Sequence, residues 1–151
     1  MSYEEILHEI SSDCIAVRLK ILNRTITSIY DKALKPYGIR VTQLNVLFAV
    51  SLLGPVEIKP LCALLSMDNS TMCRTLSRIE EKGWLISEPS GHGKNIIISI
   101  TQSGKELLLS VYPAWKEAQV QAEALMGKEL VLTLNDSVNT LMEKQRKKFS
   151  I

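Results

Sequence analysis

The chain has 151 residues, 46% of them apolar, and a net charge of +2. That length suits a single domain with a working core, and that composition excludes a disordered chain. No apolar run approaches the roughly 18 residues that a membrane span needs. The acidic start (Glu4, Glu5, Glu9) lacks the basic and apolar regions of a secretory signal, so a cytoplasmic protein with no membrane contact is expected. Cys14, Cys62 and Cys73 are odd in number and widely spaced, with neither a CxxC pair nor a histidine at ligand spacing. Neither a disulfide framework nor a metal site is expected, and no cofactor. The net charge is too small to indicate a nucleic-acid partner by itself, so the placement of charge has to decide.

In chain order, Ile15, Leu19, Leu22, Ile26, Ile29 and Ala33 repeat at spacings of four and three, a heptad-like stripe on one long helix. Pro36 and Gly38 end it. Thr42 is the expected N-cap of a second helix through Leu44, Leu47, Phe48 and Leu52, stopped at Gly54-Pro55. Ile58, Leu61, Leu64 and Leu65 form a short third helix. Asp68 or Asn69 then caps a fourth, with Met72, Leu76 and Ile79 on its buried side and Gly83 as its stop. Helix three, a brief polar turn and helix four have the shape of a helix-turn-helix.

The period then changes from helical to β. Residues 84–87 and 95–100 read as two strands rich in β-branched residues, joined by the glycine-containing turn 88–94. A hairpin directly after such a helix is a wing. From Ser103 the helical period returns with Leu108, Val111, Trp115, Ala118, Ala122 and Leu125, in a helix that Pro113 should bend. Gly127 allows a break, and Leu130, Leu134, Val138 and Leu141 mark a last amphipathic helix. The order is helix, reading module, helix, with stripes at both ends suited to helix–helix association.

These residues carry a resemblance to the MarR family of bacterial transcription regulators. The matching stretch runs from Val41-Thr42-Gln43 to Gly104. It includes Leu61-Cys62 where the family usually shows Leu-Ala, and Asp68-Asn69-Ser70-Thr71-Met72-Cys73-Arg74. Ile79-Glu80-Glu81-Lys82-Gly83-Trp84-Leu85 follows, and Ile100-Thr101-Gln102-Ser103-Gly104 closes the wing. Two features depart from the family. His92 and Lys94 stand where its wing carries an acid and an arginine, and Cys73 where a small hydroxyl residue is usual. The resemblance implies an α+β, mostly helical homodimer. A winged helix-turn-helix lobe (42–101) would sit between dimerisation helices (1–37 and 103–151) in one domain.

On a helical wheel, Ser70, Arg74, Ser77 and Arg78 lie opposite the buried side of helix four, with Thr71 at the edge. Arginine forks and short hydroxyl donors suit guanine edges and phosphates in a major groove. His92 and Lys94 at the hairpin tip are candidates for the minor groove or its phosphates, and Lys59 for a phosphate. Cys14 lies near Arg18, in the region where hydroperoxide sensors of the family place a reactive thiol, and is the candidate redox sensor. Tyr30, Tyr112 and Trp115 are candidate lining of an effector pocket, and Lys144, Arg146, Lys147 and Lys148 form a basic helix end. No catalytic constellation surrounds His8 or His92, so an enzyme is not expected.

The reading is a sequence-specific DNA-binding regulator, a repressor on a palindromic operator that a small-molecule effector releases. One alternative is a thiol-based oxidant-sensing repressor acting through Cys14. The other, from a different class, is a winged-helix protein–protein adaptor with weak DNA affinity.

Overall fold

A capping box opens the first helix. The Ser2 hydroxyl accepts from the Glu5 amide at 3.2 Å, and the Glu5 carboxylate accepts from the Ser2 amide at 2.6 Å. The computed structural model describes residues 1–149. The last two residues of the expected C-terminal dimerisation segment, and the side chains of Arg146 and Lys148 in its basic end, lie outside the described residues.

The capping box begins a helix that the sequence pattern did not mark, α1 (Tyr3–Asp13). At its end the Ser11 hydroxyl competes for the backbone, donating to the His8 carbonyl at 3.0 Å. Cys14 is a single extended residue (φ −64°, ψ 104°) between α1 and α2 (Ile15–Leu34). It thus stands at a break rather than alongside the stripe of a continuous helix. A short 3-10 turn holds Pro36, and Gly38, left-handed at φ 67°, redirects the chain into α3 (Val41–Leu53).

Thr42 does not cap α3. The cap position falls two residues earlier, on Arg40, whose amide donates to Gln43 Oε1 at 2.9 Å. The Val41 amide donates to Asp31 Oδ1 on α2 at 2.8 Å. A carboxylate from another element therefore replaces the local cap, which no local pattern could show. Leu44, Val46, Leu47, Ala49 and Val50 are all buried, so α3 is apolar nearly all round and forms the centre of the lobe.

Around it lie β1 (Val56–Glu57), α4 (Ile58–Leu65), α5 (Asn69–Glu81), β2 (Leu85–Pro89) and β3 (Ile96–Ile100). The sheet has the order β1–β3–β2, antiparallel throughout, with Ile98 opposite both Val56 and Ser87. The two-residue β1 is too short to leave a periodic signal in the sequence. Leu61 on α4, Met72, Leu76 and Ile79 on α5, and Leu85 and Ile98 on the strands close the core against α3.

α6 (Gln102–Met126) runs on without interruption through Pro113, and α7 (Lys128–Phe149) follows Gly127. Val111, Ala118 and Ala122 of the α6 stripe are buried, and α6 packs along α2 of the same chain. Tyr30 on α2 donates to Gln119 on α6. Burial first, then the Glu123 carboxylate, pushes the Tyr30 hydroxyl up, which keeps it a donor. Much of the expected partner-facing stripe is therefore consumed within the chain. Apolar surface remains exposed on α1 (Ile6, Ile10), on the start of α2 (Ile15, Leu19) and on α7 (Leu134, Leu141).

One junction joins the two parts. Thr101 caps α6, its hydroxyl accepting from the Gly104 amide at 3.0 Å while donating to the Gly83 carbonyl at 2.6 Å. The Thr101 amide donates to the Trp84 carbonyl at 3.1 Å. A Cβ at Gly104 would stand 2.2 Å from that same carbonyl oxygen, too close for any side chain without backbone movement. Gly104→Ala should therefore destabilise the fold by about 1–3 kcal/mol or more, the usual range for forced overpacking. Urea unfolding measures it, and an unchanged midpoint would refute the close approach.

Candidate nucleic-acid interface

Asp68 begins the candidate face by capping α5. Its Oδ1 accepts from the Thr71 amide at 2.9 Å and its Oδ2 from the Thr71 hydroxyl at 2.6 Å. These two bonds, the hydroxyl first, hold the Asp68 carboxyl below its ordinary value of 3.8. Arg74 Nη2 in turn reaches Thr71 Oγ1 at 3.5 Å. The chain Asp68–Thr71–Arg74 thus runs along one side of the helix, and Thr71, half-buried, is already engaged in orienting the arginine.

Ser70, Arg74, Ser77 and Arg78 are all exposed, opposite the buried Met72, Leu76 and Ile79, as the helical wheel requires. Cys73 is exposed beside them. Cys62, on α4, is half-buried, and burial above all pushes its thiol up. In the turn between α4 and α5, Ser66 takes a left-handed conformation at φ 51°, which a residue with a Cβ rarely adopts.

The wing is built on a tight polar turn. The Ser90 amide donates to the Asn95 carbonyl at 2.9 Å, and the Ser90 hydroxyl donates to the His92 carbonyl at 3.0 Å. Gly91 and Gly93, both left-handed, flank His92 and leave it exposed at the tip. Lys94 leaves the tip in another direction. With Glu57, Lys59, Asn69 and Asn95 it lines a recess of about 340 Å³ between the start of α4, the first residue of α5 and the base of the wing, two lysines against one carboxylate. Asn95 Nδ2 donates to Glu57 Oε1 at 3.1 Å and holds that base against β1. Two lysines singled out separately in the sequence thus share one recess, beside the exposed face of α5. His92 is not part of it.

A second hollow, about 180 Å³ and almost wholly apolar, lies where α3 meets α6. Leu44, Phe48, Leu108, Val111, Tyr112 and Trp115 line it, and the Tyr112 and Trp115 rings stack with centroids 6.0 Å apart. Two of the three aromatic residues expected around a pocket are there. Tyr30 is instead held by Gln119.

Solved structures superpose over most of the chain. A mutant MarR from E. coli complexed with operator DNA matches with a TM-score of 0.76, at 18% identity over 89% of this chain and 97% of that one. The fold is that of the MarR regulators. A probable transcriptional regulator from Pseudomonas aeruginosa matches with a TM-score of 0.75, at 22% identity over 85% of this chain and 97% of its own. CouR from Rhodococcus jostii, bound to p-coumaroyl-CoA, shares the MarR fold with a TM-score of 0.72, at 21% identity over 88% and 94% of the two chains.

Among curated proteins, an uncharacterised HTH-type transcriptional regulator of Bacillus subtilis, YwoH, is 25% identical over 83 residues, 55% of this chain. The match spans 61% of the length of that relative. No family model matches the chain.

The depressed Asp68 carboxyl has a pH consequence. A lowered folded value gives stability that is fully present above 3.8 and is lost as pH falls through the lower folded value. Asp68→Ala should melt below wild type at neutral pH, and the gap should close in acid well under that value. A gap that persists undiminished to the acid limit of folding would show that the cap is not ionic.

Proposed function

We propose that this protein is a DNA-binding transcriptional regulator that acts as a homodimer. In this reading it is a cytoplasmic repressor released by a small-molecule effector. One observation supports it most: on a MarR fold, the face of α5 turned to solvent carries Ser70, Arg74, Ser77 and Arg78, and Lys59 and Lys94 converge beside its first turn. Arg74, steadied by Thr71, reads a base edge from the major groove, while Ser70 and Ser77 donate to bases or phosphates. Lys94 and Lys59 hold the backbone beside the groove, and His92 probes the adjacent minor groove.

The exposed apolar residues of α1, α2 and α7 support dimerisation, because this many large apolar side chains left in water at both ends of the chain call for a partner surface. Two such lobes related by a two-fold axis would read half-sites about 34–36 Å apart. The apolar hollow between α3 and α6 supports an effector site. It lies where the reading lobe joins the helical scaffold, so a guest that fits one arrangement better than the other would shift their balance. At about 180 Å³ it is smaller than an ordinary ligand pocket and would have to widen.

The alternatives gain less support. Cys14 sits at the break between two helices, not within a packed stripe, and the adaptor reading leaves the paired lysines beside α5 without a task. Among the described residues, no helix is long and apolar enough to cross a membrane.

The test uses a duplex selected from random sequence by the protein itself. Arg74→Ala should weaken binding by about 1–3 kcal/mol and relax the preference at one position of each half-site. Lys94→Ala should weaken binding to every sequence alike and lower the salt slope by about 0.9 for each phosphate that is no longer neutralised. Wild-type affinity and selectivity in both variants would remove the assigned face.

A further inference from the structure

The recess at the first residue of α5 has a counterpart near the other end of that helix. An open cleft of about 670 Å³ lies where the end of α2, the turn after it and the start of α3 face α5. Its charged lining is Lys32, Lys35, Arg40 and Arg78, with Asp31 the one carboxylate. Four cations against one anion concentrate more positive charge here than the +2 of the whole chain.

The carboxylate is already in use, because Asp31 Oδ1 accepts from the Val41 amide at 2.8 Å. Gln43 is likewise occupied by the Arg40 amide at 2.9 Å. The Arg40 and Val41 amides at the start of α3 are therefore satisfied internally, and the charge that attracts an anion to the cleft comes from side chains. Lys32, Lys35, Arg40 and Arg78 are all exposed. A cleft this open and this polar is unlike the enclosed, mostly apolar sites of small organic ligands. Exposed cations along an open channel are what a nucleic-acid backbone requires.

Distances along α5 agree. Its 13 residues rise about 1.5 Å each, about 20 Å in all. The major groove of B-DNA is about 12 Å wide, so a helix of that length lying across it reaches the phosphates on both sides. The recess holding Lys59 and Lys94 touches α5 at Asn69, and the cleft touches it at Arg78, one turn beyond Arg74. The reading face therefore runs from one cationic recess into another.

We propose that Lys32, Lys35 and Arg40, together with Arg78, form a second phosphate clamp that grips the DNA backbone on the side of the major groove away from the wing. This rests on the DNA-binding reading above and extends it to residues outside the helix-turn-helix and the wing. The clamp joins the α2–α3 junction of the scaffold to the same duplex that α5 reads.

The test is a Lys35→Ala, Arg40→Ala double variant of the full chain, compared with wild type and Lys94→Ala. Affinity for a mixed-sequence duplex a few helical turns long is measured over a range of salt. The double variant should keep the wild-type melting curve and lower the salt slope by about 1.8, about 0.9 for each of the two phosphates released. A wild-type slope in the double variant, with Lys94→Ala reduced, overturns the clamp and leaves DNA binding standing. No salt-dependent binding by wild type removes the DNA reading and the clamp with it. A parallel titration with inorganic phosphate separates the sources. Loss of phosphate binding in the double variant with an unchanged duplex slope would assign the cleft to a small free anion and overturn the proposal.

Discussion

The Trp84 carbonyl is the point at which the parts of this molecule meet. It accepts the Thr101 amide, and it lies so near Gly104 that only a hydrogen fits between them. Through Thr101 the same junction takes in the Gly83 carbonyl just after α5, the end of β3 and the first turn of α6. Trp84 also carries Lys82 over its ring, at 5.6 Å from the centroid. The helix α5, the β2–β3 hairpin and the long helix α6 are thereby fixed to one another within a few residues. Movement of α6 against α2 would be delivered to α5 with little slack.

The charge on the winged-helix lobe is local. A net charge of +2 conceals two recesses with an excess of cations at the two ends of α5, and Ser70, Arg74 and Ser77 on the face between them. Three acidic groups near this surface are engaged: Asp68 caps α5, Asp31 caps α3, and Glu57 holds Asn95 at the base of the wing. Structural carboxylates thus satisfy amides and hinge points while the lysines and arginines stay free of the core. Composition alone cannot show that division.

The sequence made the lobe legible wherever local chemistry governs. Asp68 as a cap, the 3.6-residue period of Met72, Leu76 and Ile79, the β-branched strands and the Gly91–Gly93 turn each follow from residues close in the chain. It misled or fell silent wherever a distant group decides. The α3 cap moved from Thr42 to Arg40 because Asp31, ten residues away, supplies the acceptor. The strand β1 exists only through its pairing with β3. The recess of Lys59 and Lys94 and the cleft of Lys32, Lys35, Arg40 and Arg78 bring together residues that no spacing rule connects. The α6 stripe was visible as a stripe, but its partner within the chain, α2, was not. The apolar stripe was traced only from Ile15, so α1 before it went unmarked although Ser2 and Glu5 stand at capping-box spacing.

The central claim is that α5 lies in a major groove with backbone held at both of its ends, once per subunit of a two-fold dimer. Hydroxyl-radical footprinting on a duplex selected by the protein tests this most directly. The account predicts protected backbone on both strands bordering one major groove, repeated about 10–10.5 base pairs away by the second subunit. Uniform cleavage, or a single protected stretch on one strand with no symmetric repeat, would contradict it.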